Sequence, residues 1–145
     1  MDPFARQARQ YVLSRPNYPQ SFISWIFSHY PNLPLSKSCL DVGCGSGQLT
    51  IQLAEHFGKV VGVDRSPAQL ENALKHENIS YLKVEDAIDL HVFKDNSFDC
   101  VTVAQTLHWL PMEKALNEFH RVLKPGGCFF ALGYGVCTID NESTF

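Results

Sequence analysis

The feature that most constrains how this chain folds is a glycine-rich segment, Asp41-Val-Gly43-Cys-Gly45-Ser-Gly47, placed between a predicted strand at 38–42 and a predicted helix at 48–57. Glycines at such a junction let the backbone turn tightly and approach a ligand closely. Backbone amides at the start of the following helix face that ligand. A turn without a ligand does not require three alternating glycines behind an acid, so the segment predicts a binding site at the end of the strand.

The rest of the chain alternates short apolar runs with helical periodicities, which is typical of βαβ units and a parallel sheet. The patterns predict strands over 38–42, 60–63, 79–84, 98–104 and 128–132, and helices over 3–14, 20–30, 48–57, 67–76 and 111–123. Lys124-Pro-Gly-Gly127 is interpreted as the turn that ends the last helix. We therefore predict an α/β fold, a Rossmann-like doubly wound sheet of five parallel strands with helices on both faces.

A length of 145 residues is enough for one domain. We predict a single domain over 1–145, made of an N-terminal helical cap (1–37), the sheet core (38–133) and a tail (134–145). The formal net charge of -3 gives no support for nucleic-acid binding by bulk electrostatics. No apolar run approaches about 20 residues and the N-terminus lacks a signal-peptide pattern, so we expect no membrane partner and a cytoplasmic location.

The chain has five cysteines, an odd number, and none of them forms a Cys-x-x-Cys pair. Zinc sites need clustered ligands at short spacings. We therefore predict no metal site and interpret the cysteines as small buried side chains in a reducing compartment.

A dinucleotide site is the first alternative for the glycine-rich segment, and its fingerprint is Gly-x-Gly-x-x-Gly/Ala. Counted from Gly43, the sixth position is Gln48, and counted from Gly45 it is Thr50. Neither register fits the fingerprint, so the spacing disfavours a nucleotide-dependent oxidoreductase.

The pattern Asp41-x-Gly43-x-Gly45-x-Gly47 instead resembles motif I of the class I S-adenosylmethionine-dependent methyltransferases. The resemblance implies that the whole chain is one S-adenosylmethionine-binding domain, with Asp41 and the three glycines at the cofactor. It also implies that Asp64, 21 residues after Gly43, binds both ribose hydroxyls and that Arg65 lies beside it. One carboxylate can accept two hydrogen bonds from neighbouring hydroxyls.

Three later segments extend the resemblance to residues 38–133. Val84-Glu85-Asp86-Ala87 is similar to the segment after strand three, where the acid contacts the adenine amino group and the next amide contacts the ring. The resemblance thus implies adenine contacts for Asp86 and Ala87, although the family often has glycine where this chain has Glu85. Asp95–Asp99 and Arg121–Gly127 are also similar to the family, and we interpret the latter as structural.

A narrower resemblance concerns the branch that includes trans-aconitate methyltransferases. The resemblance rests on two segments, Ala104-Gln105-x-x-His108-Trp109 and Arg15-Pro16-x-Tyr18-Pro19. In such enzymes the N-terminal segment folds over the cofactor, which implies a small-molecule acceptor site lined by Tyr11, Arg15, Tyr18 and Trp109. Gln105 is the candidate for a hydrogen bond to the cofactor or the acceptor. His108 is the candidate general base, and His108-Trp109 is equally consistent with a packing corner over the cofactor's edge. Arg9 or Arg15 suits a carboxylate acceptor, since a guanidinium matches a carboxylate fork.

The family sheet normally continues with an antiparallel hairpin after strand five, and from the sequence we expect this chain to lack that hairpin. Strand five, Cys128–Leu132, is therefore expected to be an apolar edge, which favours self-association through it. Two functions remain open at this point. The first is a small-molecule methyltransferase, and the second is a truncated, non-catalytic module that binds the cofactor or a partner.

Overall fold

A computed structural model describes residues 17–30 and 37–133 of the chain. The strands of this part are β1 (Ser38–Val42), β2 (Lys59–Asp64), β3 (Ile79–Lys83), β4 (Phe98–Ala104) and β5 (Leu123–Leu132). Its helices are α1 (Gln20–Ser28), α2 (Gln48–Leu53), α3 (Pro67–Glu71) and α4 (Met112–Val122), with a 3₁₀ helix at Leu107–Trp109. The helix predicted over 3–14 lies outside the described residues.

All five strands are parallel and lie in the order β3-β2-β1-β4-β5, which confirms the predicted Rossmann-like, doubly wound sheet. The chain builds outward from β1 to β3 and then returns to place β4 on the other side of β1. In open α/β sheets, ligands bind outside the carboxyl ends of the strands where the strand order reverses. The glycine-rich segment directly follows β1 and therefore lies at that point.

Alternating side chains of the central strands supply an apolar core on each face of the sheet. On one face, Leu40 of β1 is fully buried in a cluster with Phe119 of α4. On the other, Cys39 is fully buried in a cluster with Ile23 of α1 and Leu53 of α2. Helices thus cover both faces, as the sequence predicts.

The helices end earlier than the sequence predicts: α1 at Ser28 rather than 30, α2 at Leu53 rather than 57, and α3 at Glu71 rather than 76. Beyond α3, the Leu74 amide donates to the Ser46 carbonyl oxygen at 3.0 Å. This bond turns the chain back toward the glycine-rich segment. The chain after Glu71 therefore packs against the glycine-rich segment instead of continuing the predicted helix.

Strand β5 begins earlier than predicted, because the turn expected at 124–127 is a bulge inside the strand. β4 and β5 pair at Phe98 with Leu123 and again at Cys100 with Cys128, so four residues of β5 stand opposite one residue of β4. Gly126 has φ +77°, a conformation that glycine adopts without strain. The bulge holds a proline, which cannot donate to a ladder, without ending the strand.

Three cysteines, Cys39, Cys44 and Cys100, are buried with free thiols, and Cys128 is half-buried; Cys137 lies outside the described residues. Within the described ranges, no group of three or more His, Cys, Asp or Glu side chains is placed to hold a metal ion. None of the described helices has the length and apolar character needed to cross a membrane.

Candidate functional site

The three alternating glycines form a loop at the carboxyl end of β1, and each has a positive φ: +68° at Gly43, +56° at Gly45 and +86° at Gly47. Residues with a Cβ rarely adopt this conformation. A Cβ at Gly43 would also lie 2.6 Å from Thr106 Oγ1. Backbone conformation explains why glycine occupies all three positions, and close packing against Thr106 and Tyr81 adds to it at Gly43 and Gly47.

The loop is fastened to β2 by Asp64, which lies half-buried at the end of that strand. Asp64 Oδ2 accepts a hydrogen bond from the Gly45 amide and Oδ1 accepts one from the Ser66 amide, each at 2.9 Å. A carboxylate oxygen can accept two hydrogen bonds. Asp64 is therefore held in place at the loop while each oxygen retains a lone pair for a hydroxyl ligand.

Asp41 lies below the loop and is 1% exposed. Its Oδ2 accepts a hydrogen bond from Thr50 Oγ1 at 2.7 Å, and its Oδ1 accepts one from Thr102 Oγ1 at 3.0 Å. Burial raises the pKa of this carboxyl to about 6, although the two threonine hydrogen bonds oppose the shift. At neutral pH the site therefore has a desolvated negative charge beneath the glycine loop. A direct contact of Asp41 with a cofactor stays a prediction.

Asp86 and Ala87 lie in the turn that follows β3. Val84, which begins this segment, donates its amide to the carbonyl oxygen of Asp64 at 3.0 Å. Asp86 is exposed, and its Oδ1 accepts a hydrogen bond from the Ile88 amide at 3.1 Å. The structure thus brings the predicted adenine segment next to the predicted ribose carboxylate.

Gln105 directly follows β4 and has φ +58°, a strained conformation for a residue other than glycine. Its amide donates to the Leu132 carbonyl oxygen at 3.0 Å. Its side-chain Nε2 donates to the hydroxyl of Tyr18 at 3.4 Å. Gln105 and Tyr18, which the sequence predicts as separate site residues, are thus in contact. Strain of this kind concentrates at functional sites.

His108 and Trp109 lie on the 3₁₀ helix after β4, with their ring centroids 4.8 Å apart. Trp109 is 79% exposed, and His108 is exposed as well. Within the part of the chain that the structure describes, His108 has no hydrogen-bonded partner to orient its ring. Its role as a base therefore stays a prediction. Arg65 is exposed beside Asp64, and Tyr11, Arg9 and Arg15 lie outside the described residues.

Several residues that complete the loop are absent from the sequence analysis. Thr50 and Thr102 hold Asp41, and Thr106 fills the space over Gly43. A polar Thr102 inside the apolar run of β4 is the one available signal, because a buried hydroxyl requires a partner. Tyr81 reaches under the loop from β3, where its hydroxyl donates to the Leu74 carbonyl oxygen at 2.5 Å.

Comparison with known proteins gives the class. The family described as "Methyltransferase domain" matches residues 40–131 of the chain. The chain is 36% identical, over 98% of its length, to a candidate methyltransferase of Dictyostelium discoideum. It is 29% identical, over 85% of its length, to a candidate S-adenosylmethionine-dependent methyltransferase of Saccharomyces cerevisiae.

A solved structure, that of a candidate type II methyltransferase from Anaeromyxobacter dehalogenans, matches with a TM-score of 0.70 and 35% identity over 88% of this chain. The chain belongs to the class I S-adenosylmethionine-dependent methyltransferase family. It spans 52% of the Dictyostelium protein, 44% of the yeast protein and 52% of the Anaeromyxobacter chain, about half of each.

Proposed function

We propose that this chain binds S-adenosylmethionine at the edge formed by the glycine loop and transfers its methyl group to a small-molecule acceptor. The observation that carries the proposal is the pairing of Asp64 with the loop: the carboxylate accepts from the Gly45 and Ser66 amides and keeps lone pairs for a ribose diol. The family to which the chain belongs supports the same cofactor.

The remaining polar groups fit the other parts of that cofactor. Asp86 and Ala87 follow β3 beside Asp64 and suit the amino group and ring of adenine. Asp41 supplies a buried negative charge under the loop, which favours a ligand that carries sulfonium and ammonium charges. The cofactor supplies an activated methyl group, and the protein's task is to position it and to exclude water.

Within this proposal, the methyl acceptor is a carboxylate. Tyr18 contacts Gln105 at the end of β4, and Arg15 stands three residues before Tyr18 in the chain. A guanidinium suits an acidic acceptor, because its fork matches a carboxylate. An ionised carboxylate needs no general base at neutral pH, whereas an amine or a phenol would use His108 as the candidate base. The resemblance to the trans-aconitate branch supports the carboxylate.

Turnover tests the proposal. The purified chain is incubated with methyl-labelled S-adenosylmethionine and a panel of small di- and tricarboxylates, amines and phenols, and product is followed by mass spectrometry. Methyl esters of the carboxylates are the expected products, and Arg15→Gln should raise the KM for the acid at least about tenfold. Transfer confined to amines or phenols would overturn the carboxylate. In that case, loss of transfer in a His108→Gln variant would show that His108 acts as the general base.

A non-catalytic module is the second candidate, and the position of β5 favours it. β5 is an edge of the described sheet, and an unpaired edge favours pairing with another chain. Binding of S-adenosylmethionine without transfer to any acceptor class would favour this candidate over an enzyme.

A further inference from the structure

The segment between β3 and β4, residues 84–97, forms turns rather than a helix, yet side chains of α4 hold its backbone firmly. Arg121 Nη2 donates to the Leu90 carbonyl oxygen at 3.1 Å, and Nη1 donates to the Phe93 carbonyl oxygen at 3.0 Å. Glu118 Oε2 accepts a hydrogen bond from the Leu90 amide at 2.8 Å. Both backbone groups of Leu90 are thus bonded to a charged side chain of α4.

The two charged side chains are also bonded to each other. Arg121 Nε donates to Glu118 Oε1 at 2.7 Å, and Nη2 donates to Glu118 Oε2 at 3.0 Å. Nη1 donates to Asp95 Oδ1 at 2.9 Å. The Arg121 and Glu118 side chains are 28% and 22% exposed, so water screens the pair only in part. A two-pronged guanidinium–carboxylate pair fixes orientation as well as distance.

The fixed residue Leu90 lies four positions after the predicted adenine contact, Asp86. Leu90 is fully buried in the core of the α4 face. Between the two residues the chain makes a tight turn, in which the Asp89 amide donates to the Asp86 carbonyl oxygen at 3.1 Å. The Ile88 amide donates to Asp86 Oδ1 at the same distance. These hydrogen bonds restrict the backbone between Asp86 and Leu90. A displacement of Leu90 therefore displaces the turn that contains Asp86.

We propose that Arg121, acting with Glu118, is a positioning residue for the cofactor, because it anchors Leu90 and thereby holds Asp86 and Ala87 where adenine binds. The inference rests on the proposed function. It goes beyond the structural interpretation of Arg121–Gly127 given by the sequence. A lysine cannot replace the arginine fully, since it lacks the planar fork that reaches two carbonyl oxygens and a carboxylate together.

A double-mutant cycle tests the inference, with the dissociation constant of S-adenosylhomocysteine measured calorimetrically on the wild type, Arg121→Met, Asp86→Asn and the double variant. Each single change should weaken binding about tenfold. Because Arg121 acts in part through Asp86, the two single effects should not multiply, and the double variant should bind more tightly than their product predicts. Arg121→Lys should recover part of the affinity. Two results would overturn the inference: single effects on the dissociation constant that multiply in the double variant, or wild-type affinity in a folded Arg121→Met variant.

The matched control is Lys124→Met, which removes a cation paired with Asp99 at 3.1 Å on the β4–β5 side of the sheet. It should leave the dissociation constant unchanged. If Arg121→Met does not fold, Glu118→Gln takes its place in the cycle with the same expected coupling to Asp86. A folded wild type that does not bind S-adenosylhomocysteine overturns the proposed function itself. Binding by the wild type with an additive cycle overturns only the role of Arg121.

Discussion

At the scale of single residues, Asp41 combines an energetic cost with a functional reason for it. Its carboxylate is buried and bonded to two threonine hydroxyls, yet its pKa is raised from 3.8 to about 6. The folded state therefore penalises the ionised form at neutral pH, by an amount of order 3 kcal/mol. A cationic cofactor bound above the loop, as we propose, would offset this penalty.

The first prediction concerns Asp41→Asn. The folded protein binds the Asp41 proton more tightly than the unfolded chain does between pH 3.8 and about 6, so the wild type loses stability as the pH rises through this window. The variant should have a higher free energy of unfolding at pH 7.5, and most of that gain should disappear near pH 4. Urea denaturation at both pH values measures it.

The same Asp41→Asn variant should bind S-adenosylmethionine at least about tenfold more weakly, because the attractive charge is gone. Glu71→Gln, which neutralises an exposed carboxylate of α3, is the control and should change neither quantity. A variant that is less stable than the wild type at pH 7.5 would contradict the account of a penalised charge.

Some contacts around the site had no usable signal in the sequence. Gly62 is an example: it lies opposite Tyr81 in the β2–β3 register, and a Cβ there would lie 2.8 Å from the tyrosine ring. Only the register of two neighbouring strands reveals this contact. Asp64 was predictable because its place at the end of a strand is a local property of the sequence. Thr106 was not, because its contact with Gly43 joins residues far apart in the chain.

At the scale of elements, the hydrophobic patterns located all five strands, and the bounds of β1 and β4 were as predicted. The errors lie where long-range contacts override the local pattern. α3 ends early because the backbone after it bonds to Ser46. β5 starts early because a bulge absorbs the Pro-Gly-Gly sequence that resembles a turn. The local sequence of α3 does not reveal the bond to Ser46, and the local sequence of β5 does not reveal the bulge.

A second prediction belongs to strand β5, which forms one edge of the described sheet. Unpaired edges promote pairing between chains, and a charged side chain on the edge opposes it. We expect the chain to self-associate as its concentration rises, and Ala131→Lys, at an exposed position of β5, to suppress the association. Sedimentation velocity over a range of concentrations measures both.

The control for that prediction is on the opposite edge. Leu82 of β3 is 37% exposed, and Leu82→Lys adds the same charge there. It should leave self-association as in the wild type. A wild type that stays monomeric at every concentration would show the expectation for β5 to be wrong, as would equal effects of the two lysines.

At the scale of the whole molecule, one topological feature brings the site together. Because β1 and β4 are neighbours while the chain between them visits β2 and β3, the ends of β1, β2, β3 and β4 meet at one edge. The glycine loop, Asp64, the Asp86 turn and Gln105 each follow one of these strands. They lie together because parallel strands all end at the same edge of their sheet.

Calorimetric titration of the purified chain with S-adenosylmethionine and, separately, with NAD tests whether this edge binds S-adenosylmethionine. The account predicts binding of S-adenosylmethionine with a dissociation constant on the order of micromolar, its loss in Asp64→Ala, and no binding of NAD. A folded chain that binds NAD, or that binds neither compound, would contradict it.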